Sequence, residues 1–471
     1  MTHPKKFRTS TYLGTVDVGQ GFSLLYNGFT SRLDLLPTDL AAQLVNGRGW
    51  RDFSFLSAEE EQHLLNRGHL TGWTVRDELE AFKKLAEKTH QSNEALHHRV
   101  KGRRAIAFIL TYQCNLSCTY CYQDDLRKNE NLPAMDEAFV DDFFGRYIKH
   151  LLPWGRIKNA HFLLFGGEPF LPGNRSALER ILRYALNYGA SVSAASNAVL
   201  LPKMLDLIGP EKGKINNVQV TLDGDQLFHD QTRIPPSGAP TFEAIIHSLR
   251  TLIKVKARAV IRIHLHPNRL QSTRELVRYL DQEGLLGHDS VHVYFAPTTF
   301  FDGPEGPPSY FENLSDLFQD VSLKQNNPPS PFAGGFARIM DPLAMRNRLR
   351  LRYCAAGTGL LHVVDARGDL YDCYEEAGHK ARRIGKLEGG RVKYFQLKET
   401  YTKRHILNIP ECLKCSIALY CGGGCLSQAR LKKGSIFKPF CHLNNEFVGQ
   451  TLKAYYLLRQ AGQVGGEGMG G

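Results

Sequence analysis

The residues with the clearest chemical potential are three cysteines within eight residues, Cys114, Cys118 and Cys121. They follow the apolar segment 105–111, which has the composition of a buried strand, so we expect them on a loop that leaves a strand. Three thiolates can hold three irons of a [4Fe–4S] cluster, whose usual number of protein ligands is four, and the fourth iron then stays open. The alternatives are structural zinc, which usually takes four protein ligands, or cysteines packed as small apolar side chains.

The order and spacing of residues 114–121, Cys-Asn-Leu-Ser-Cys-Thr-Tyr-Cys, resemble the cluster motif of the radical S-adenosylmethionine (SAM) enzymes. In that family the open iron binds SAM through its amino and carboxylate groups. The reduced cluster then splits SAM into methionine and a 5′-deoxyadenosyl radical. The resemblance implies that Cys114, Cys118 and Cys121 hold the cluster and that Tyr120 contacts the adenine of SAM.

Six short apolar segments alternate with helical segments and must position this loop. Alternation of strand and helix is typical of a parallel sheet. Six units predict an α/β fold with a partial (β/α)6 barrel, and ligands are expected at the carboxyl ends of its strands. The strands are predicted at 105–111, 159–165, 191–196, 217–222, 259–265 and 291–295.

Glycine and polar residues follow the second, third and fourth strands. Gly166 and Gly167 permit close approach of the backbone, and Glu168 can accept a hydrogen bond from an ammonium group. Together with Pro169 they resemble the Gly-Gly-Glu-Pro motif that binds the methionyl amino group of SAM in the family. With the family's other polar positions, the resemblance predicts these SAM-binding residues: Tyr120, Gly166, Gly167, Glu168, Ser196, Asn197, Thr221 and Arg233.

Polar residues also alternate with apolar ones along the fifth and sixth strands. This period of two places Arg262, His264, His266, His292 and Tyr294 on one face, which we expect to line the barrel lumen. Burial of such groups is costly unless they are paired or solvated, and a charged cofactor would pair them. For each single histidine, the alternative is a structural residue whose hydrogen bonds are satisfied in the core.

Seven more cysteines lie near the C-terminal end. This number of thiolates suits zinc or iron–sulfur clusters, and a double zinc ribbon is the alternative. Their order and spacing resemble the SPASM extension of radical SAM enzymes, which carries two auxiliary clusters. By that resemblance the first cluster is held by Cys354, Cys373 and Cys425, and the second by Cys412, Cys415, Cys421 and Cys441. Positions 348–353 contain no cysteine, so the first cluster is expected to have an open or non-cysteine fourth ligand.

The residue after Cys373 bears on the reaction. Anaerobic sulfatase maturases place an aspartate there, which is implicated as the base, whereas this chain has Tyr374 followed by Glu375. Formylglycine formation is therefore the less expected reaction. The predicted candidates for the catalytic base are Asp223, Tyr374 and Glu375.

The chain has 471 residues, a length that predicts more than one domain. Of these residues 23% are charged and 10% aromatic, which is the composition of a globular protein. No apolar run approaches a membrane span and no secretory signal is visible, so the cytoplasm is expected. Ten cysteines there favour metal binding or catalysis over disulfides. The net charge of +12 would attract acidic peptides or nucleic acid without choosing between them.

Four regions are predicted. Residues 1–100 form a module with helices and a β-hairpin that turns at Asn27 and Gly28 in a type I′ turn; it either packs on the barrel or binds a leader peptide by β-addition. Residues 101–345 form the radical SAM partial barrel, and 346–450 the SPASM domain with two auxiliary iron–sulfur clusters. Residues 451–471 are the end of a helix and a flexible glycine-rich tail.

The sequence therefore predicts a radical SAM/SPASM maturase that modifies a ribosomally synthesised peptide, with side-chain cross-linking through a carbon–carbon or thioether bond favoured. The expected cofactors are a [4Fe–4S] cluster, two auxiliary [4Fe–4S] clusters and SAM. The expected partners are the precursor peptide, or a sulfatase, and an electron donor such as flavodoxin or ferredoxin; no membrane or nucleic acid is expected. The alternatives are a sulfatase maturase that makes formylglycine and a non-enzymatic zinc or iron–sulfur protein that binds nucleic acid.

Overall fold

The computed structural model describes most of the chain. The described residues are 7–47, 49–99, 104–129, 131–152, 157–266, 268–298, 314–317, 321, 349–441 and 445–460. The predicted glycine-rich tail lies outside them. Among the described residues, each helix is too short or too polar to cross a bilayer.

The N-terminal module contains two small antiparallel sheets and three helices. Strands β2, β3 and β4 form one sheet in that order, and in the other sheet β1 pairs with β5 on one side and β6 on the other. The elements are β1 (Phe7–Thr9), β2 (Leu13–Gly19), β3 (Phe22–Asn27), β4 (Arg32–Pro37), α1 (Thr38–Asn46), β5 (Trp50–Arg51), α2 (Ala58–Asn66), β6 (Leu70–Thr71) and α3 (Val75–Arg99).

The predicted hairpin is present between β3 and β4, but the predicted type I′ turn is wrong. The register pairs Asn27 with Arg32, so the loop has four residues instead of two. The Asn27 side-chain oxygen accepts hydrogen bonds from the backbone N–H groups of Phe29 (2.8 Å) and Thr30 (3.0 Å), which stabilises the longer loop. Gly28 is required by a contact with a distant part of the chain, because a Cβ there would overlap the carbonyl oxygen of Ser416.

The central part of the chain forms six parallel strands with helices between them. Every strand predicted from the sequence is present within a few residues, and each is parallel to its neighbours. The strands are β7 (Ala105–Ile109), β8 (His161–Phe165), β9 (Ser191–Ser196), β10 (Ile215–Leu222), β11 (Arg258–Leu265) and β12 (Val291–Pro297). The helices are α4 (Asp124–Arg127), α5 (Glu137–Asp142), α6 (Ile148–Leu151), α7 (Arg175–Tyr188), α8 (Gln226–Thr232), α9 (Phe242–Lys254) and α10 (Leu270–Gln282), with a π-helical turn, Phe143–Tyr147, between α5 and α6 and 3-10 turns at Ile157–Asn159, Pro172–Asn174 and Leu201–Leu207.

Strand β10 shows how the sequence pattern produces this fold. Val218, Val220 and Leu222 are fully buried, whereas the alternate residues Gln219 and Thr221 are only half-buried. The apolar side chains belong to the same core cluster as residues of α9. Period-two alternation therefore gives the strand an apolar face toward the core and a polar face on the other side, as predicted. The predicted α/β fold class is confirmed.

The C-terminal region continues the barrel sheet, which the sequence analysis did not predict. Strand β13 (Leu361–Asp365) pairs in parallel with β7, and β14 (Asp369–Tyr371), β15 (Gly385–Glu388) and β16 (Arg391–Tyr394) follow as antiparallel strands. The result is one sheet of ten strands. The remaining elements are α11 (Gln396–Thr402), α12 (Ala418–Cys421), α13 (Leu426–Lys433) and α14 (Asn445–Gln460), with 3-10 turns at Tyr374–Glu376, Lys380–Arg382, Ile406–Asn408 and Pro410–Lys414.

The N-terminal module packs against this C-terminal region. The Tyr12 hydroxyl donates to the carbonyl oxygen of Leu413 (2.7 Å), and the Tyr420 hydroxyl donates to Ser31 (2.9 Å). The interface has its own apolar core, formed by Tyr12, Phe82, Ala86, Leu351, Ile406, Ile409, Cys412, Ala418 and Leu419. The module therefore supports the region that carries the seven C-terminal cysteines.

Candidate active site at the carboxyl ends of the barrel strands

The cysteine loop after β7 is anchored to the end of α8. The backbone N–H groups of Ser117 and Thr119 donate to the carbonyl oxygens of Ile234 (2.6 Å) and Thr232 (3.0 Å). The Cys114 sulfur accepts from the backbone N–H of Leu116 at 3.4 Å. The three cysteines lie close together and are half-buried, at the edge where the parallel strands end.

The glycine loop after β8 is joined to this cysteine loop by backbone hydrogen bonds. The N–H of Gly167 donates to Thr111 (2.8 Å), and the N–H of Glu168 donates to Gln113 (2.9 Å). Gly166 has a left-handed φ of 135°, and a Cβ on Gly166 would overlap the carbonyl oxygen of Thr111. Both constraints exclude side chains, so the glycine allows the two loops to lie side by side.

Glu168 connects the carboxyl ends of β8 and β9. It is fully buried. One carboxylate oxygen accepts hydrogen bonds from Ser196 (2.7 Å) and the backbone N–H of Phe170 (2.9 Å), and the other accepts from the backbone N–H of Asn197 (2.8 Å). A carboxylate has about four acceptor positions, so about one stays available for an outside donor. Burial raises the pKa of Glu168 above its ordinary value, and the hydrogen bonds only partly oppose this.

Asn197 extends this network to the cysteine loop. Its side-chain amide donates to the Cys114 sulfur (3.6 Å) and to the side-chain oxygen of Asn115 (2.8 Å). The predicted residues Glu168, Ser196 and Asn197 therefore form one hydrogen-bonded group that reaches the first predicted cluster ligand.

A second hydrogen-bonded group lies on the other side of the loop. The Arg233 guanidinium donates to the Tyr120 hydroxyl (2.7 Å), which donates to the Asp223 carboxylate (2.5 Å). Thr232 donates to the same carboxylate oxygen at 3.1 Å. Tyr120 is thus held by its hydroxyl, and its ring packs edge-on against His264. Thr221 lies beside Arg262 in the register of β10 and β11.

The carboxylate of Asp223 also meets two histidines of β11, a convergence that sequence reasoning missed. Its other oxygen lies 2.9 Å from His264 Nδ1 and 3.6 Å from His266 Nε2. Burial alone would raise the pKa of Asp223, but His264, His266 and Arg233 outweigh it and hold this pKa well below its usual range. A carboxylate with so low a pKa is a weak proton acceptor. The signal available in the sequence was the polar face of β11, which pointed to the lumen without naming a partner.

The first C-terminal set of thiols contains a carboxylate. The Cys425 thiol donates to the Glu375 carboxylate at 3.6 Å. Burial raises the pKa of the Cys373 thiol well above its usual value, and the negative charges of Glu375, Cys425 and Cys354 add to this, which places the four groups close together. The ring of Tyr374, the next residue after Cys373, packs on Phe165 at a centroid distance of 5.0 Å.

The second C-terminal set is also brought together. Burial raises the pKa of Cys412, and the charges of Cys421, Cys415 and Cys441 raise it further. The chain between the two sets turns at Gly422, Gly423 and Gly424, whose φ angles of 67°, 84° and 73° favour glycine.

Arg404 lies between the two sets, another feature that sequence reasoning missed. Its side chain is buried, and its guanidinium donates to the carbonyl oxygens of Gly423 (3.0 Å) and Gly424 (3.1 Å). Burial lowers the pKa of Arg404, and this is opposed by Cys354 and Cys425 from one set and Cys412 and Cys421 from the other. A buried cation beside both sets suits anionic metal–thiolate centres.

The thiol groups fit the centres that the sequence predicted. The ten cysteines gather in groups of three, three and four, and burial raises the pKa of eight of them. The clustering of the thiols suits a metal centre, which would bind their thiolate forms and neutralise the negative charge.

Comparison with known proteins supplies the family. Residues 108–280 match the Radical SAM superfamily. This chain contains a radical SAM domain. The matched segment contains the cysteine loop, the glycine loop and the Asp223 group, and the superfamily implies one [4Fe–4S] cluster and SAM.

Three curated relatives are similar over most of their length. The AdoMet-dependent heme synthase of Methanosarcina barkeri is 26% identical over 373 residues, which are 72% of this chain and 96% of the relative. The cysteine-type anaerobic sulfatase-maturating enzyme of Clostridium perfringens is 22% identical over 66% of this chain and 85% of the relative. The radical SAM cyclopropyl synthase TigE of Paramaledivibacter caminithermalis is 20% identical over 86% of this chain and 85% of the relative.

A solved structure shows the same fold. Hexahistidine-tagged anSMEcpe with bound AdoMet superposes with a TM-score of 0.57 at 17% identity, covering 77% of this chain and 96% of that chain. The chain therefore has the fold of that enzyme over most of its length.

Proposed function

We propose that this radical SAM enzyme is a peptide maturase that joins two side chains of a ribosomally synthesised peptide through a carbon–carbon or thioether bond. One observation carries the proposal. Residues 374–378, which follow Cys373, pack against the carboxyl ends of β7 and β8: Tyr374 contacts Phe165, and a Cβ on Gly378 would lie 3.1 Å from the Tyr112 ring. The C-terminal thiols thus stand beside the same edge of the sheet as the cysteine loop.

Tyr122 lies close to both the cysteine loop and the C-terminal thiols. Burial raises its pKa well above the usual value, and the charges of Glu375, Cys121 and Cys373 add to this effect. One tyrosine side chain therefore lies close to a predicted ligand of the first cluster and to a predicted ligand of an auxiliary cluster. We infer that the substrate enters at this edge, where both centres border the same space.

The residues at this edge would hold SAM in place. When bound, the cluster and SAM supply a 5′-deoxyadenosyl radical that removes a hydrogen atom from carbon. Glu168 has one acceptor position left for the SAM amino group, and Arg233 offers a cation to its carboxylate. Asp223 fixes Tyr120 and Arg233 rather than acting as a base, since its pKa is held low. Positioning of this kind is the protein's main contribution to radical chemistry.

The reaction balances without another oxidant. Joining two side chains removes two hydrogen atoms from the peptide, which is a two-electron oxidation. Cleavage of SAM to methionine and 5′-deoxyadenosine consumes two electrons. The external donor, such as flavodoxin or ferredoxin, therefore starts the reaction and is not consumed overall.

Sulfatase maturation is the second candidate, and the clostridial relative favours it. The identity of the residue after Cys373 argues against sulfatase maturation. Tyr374 stands there instead of an aspartate, and its ring is packed against Phe165. An aromatic ring in an apolar contact is a poor substitute for a carboxylate base.

The N-terminal module is proposed to hold the leader segment of the peptide. Strand β4 is an outer strand of its three-stranded sheet, because its sheet partner is β3. Such an edge can accept a peptide as an added strand through backbone hydrogen bonds.

The test is incubation with SAM, a reductant and the short peptide encoded beside the gene, followed by tandem mass spectrometry. We expect loss of the mass of one hydrogen pair per event, with fragment ions missing inside the linked span. A product of unchanged mass, or one with an added methyl group, would refute cross-linking and leave the radical SAM assignment intact. Formylglycine in a sulfatase peptide would support the second candidate.

We also propose three clusters, one for each group of cysteines. Anaerobic reconstitution should give on the order of twelve irons per chain, if every centre is a four-iron cluster. Zinc in stoichiometric amount without iron, in protein purified anaerobically, would contradict this.

A further inference from the structure

We propose that the Glu375 carboxylate is the fourth protein ligand of the cluster held by Cys354, Cys373 and Cys425. This inference rests on the proposed auxiliary cluster and deepens it. The sequence has three cysteines for that centre and no cysteine at positions 348–353. A four-iron cluster usually has four protein ligands, so one position needs a group of another kind.

The geometry places this carboxylate among the thiols. Glu375 lies in the short 3-10 turn Tyr374–Glu376 that follows Cys373 directly. Its carboxylate accepts the hydrogen bond of the Cys425 thiol at 3.6 Å, although the two residues are 50 positions apart in the chain. The contact thus joins the turn after Cys373 to Cys425, the last cysteine of the ligand set.

The neighbouring glutamate shows that this orientation is particular to Glu375. Glu376 is buried, and its carboxylate accepts a hydrogen bond from the Tyr401 hydroxyl and lies 3.6 Å from the Arg430 guanidinium. The two adjacent carboxylates therefore have different partners. Glu376 supports the fold, and Glu375 meets the thiols.

The contact cannot persist unchanged once a cluster is bound. As a ligand, Cys425 is a thiolate and has no proton to donate, so two negative groups would face each other in a half-buried site. Iron that is bound by the Cys425 sulfur and by the Glu375 carboxylate would remove this repulsion. Carboxylates are established ligands of iron. The glutamate side chain has three rotatable bonds, so its carboxylate can follow a cluster that enters between the four groups.

The charge around the site is compatible with an extra anionic ligand. Arg404 is buried and interacts electrostatically with both Cys354 and Cys425. A cation in that position offsets the negative charge of three thiolates and one carboxylate. A neutral ligand is not required by the surroundings.

The test uses the full chain with Cys114, Cys118 and Cys121 replaced by Ala, so that spectra report the auxiliary centres. This background is compared with Glu375→Gln, Glu375→Cys and the control Glu388→Gln, which makes the same charge change at an exposed residue of β15. The readouts are iron content and the electron paramagnetic resonance (EPR) spectrum of the reduced protein, with and without cyanide as an external iron ligand.

We expect the background and Glu388→Gln to show the same EPR spectrum with and without cyanide. Glu375→Gln should change the signal of one cluster and make it respond to cyanide, or should lose that cluster's iron. Glu375→Cys should retain the iron and remain insensitive to cyanide, because a thiolate again fills the position. Retention of iron in Glu375→Cys would show that residue 375 is a cluster ligand, because a residue that only supports the fold would not be replaced by a thiolate.

Three results would overturn the proposal. A cyanide response in the background itself would show that the position is open. A Glu375→Gln spectrum equal to that of the background would show that the carboxylate is not bound, and loss of iron in both Glu375 variants would show a structural role. Absence of iron from the background would refute the auxiliary cluster as well, whereas the first three results leave that cluster standing.

Discussion

The cysteine loop after β7 and the C-terminal cysteine region position their thiols by different means. The loop leaves a buried parallel strand and is held by backbone hydrogen bonds to the neighbouring glycine loop and to the end of α8. The C-terminal thiols lie on or beside 3-10 turns, short helices and glycine-rich bends, with a buried Arg404 between them. The first arrangement relies on the regular sheet, and the second on tertiary contacts that include the N-terminal module.

This difference predicts that damage to the two regions will have separable effects. The sheet edge should govern SAM binding and cleavage. The C-terminal region should govern auxiliary iron and the fate of the substrate. Substitutions in each region test that separation.

Replacing Cys114, Cys118 and Cys121 together by Ala should abolish SAM cleavage, because the other seven cysteines belong to the C-terminal sets and not to the proposed SAM site. The auxiliary clusters should keep their visible absorption, since their ligands come from the C-terminal region. Formation of 5′-deoxyadenosine under reductant is the measurement. Continued formation in the triple variant would disprove the assignment of the first cluster.

Arg404→Met should deplete the C-terminal iron and leave the first cluster in place. Removing a buried cation that offsets anionic ligands is expected to cost about 3 kcal/mol. Iron analysis together with 5′-deoxyadenosine formation measures the two effects separately. The control is Lys403→Met at the exposed neighbouring residue. Equal loss of iron in both variants would show that the buried position of Arg404 is unimportant.

Gly166→Ala should lower 5′-deoxyadenosine formation by about tenfold or more, since loop displacements of this kind have large effects on positioning. The added Cβ would overlap the carbonyl oxygen of Thr111 and require a left-handed φ. Gly173→Ala is the matched control, because a Cβ at Gly173 meets no atom within 4 Å. Similar rates for both variants would refute the close approach of the two loops.

Tyr120→Phe should weaken SAM binding by about tenfold, as expected for loss of hydrogen bonds to charged partners. The hydroxyl links Arg233 to Asp223, and without it the guanidinium is less well oriented. Equilibrium binding of SAM to the reconstituted enzyme is the measurement. Tyr394→Phe, at an exposed residue of β16, is the control and should bind SAM as tightly as the unmodified enzyme.

The smallest predicted effect concerns pH. His229 Nδ1 accepts a hydrogen bond from the Asp223 backbone N–H at 3.3 Å, and burial, with Arg233, lowers the pKa of His229 to about 3. Below about pH 6.5 the unfolded chain binds a proton at this histidine and the folded chain does not, so stability falls as pH falls. His229→Gln should therefore flatten the dependence by up to about 1.4 kcal/mol per pH unit.

Thermal unfolding between about pH 5.5 and 7.5 checks this prediction, with iron content followed in the same samples. His247→Gln at an exposed position of α9 serves as the control. An unchanged pH dependence in His229→Gln would show that His229 binds a proton equally well in the folded and the unfolded chain.

Several features of the site could be predicted because they depend on neighbouring residues in the chain. The six parallel strands follow from period-two alternation and from the helices between them. The spacing of Cys114, Cys118 and Cys121 marks a metal loop, and the glycine pair marks a close approach of backbone. Each of these patterns is complete within a few tens of residues.

Other features could not be predicted, because they join residues that are far apart in the chain. Tyr112 donates to Asp365 across 253 positions at 3.0 Å, which helps to join β7 and β13 in one sheet. Gly28 resembles a turn residue, but its requirement comes from Ser416. A local pattern has no information about such partners.

Motif spacing and strand periodicity are properties of short segments, so the sequence alone predicted the radical SAM resemblance, the six parallel strands and the thiols that can bind metal. Three contacts between distant segments became visible in the folded chain: β13 continues the barrel sheet, His264 and His266 meet Asp223, and Glu375 faces Cys425. These contacts depend on how the packed strands and turns are placed relative to one another. Packing is determined by the whole core, and so it appears only when the chain is folded.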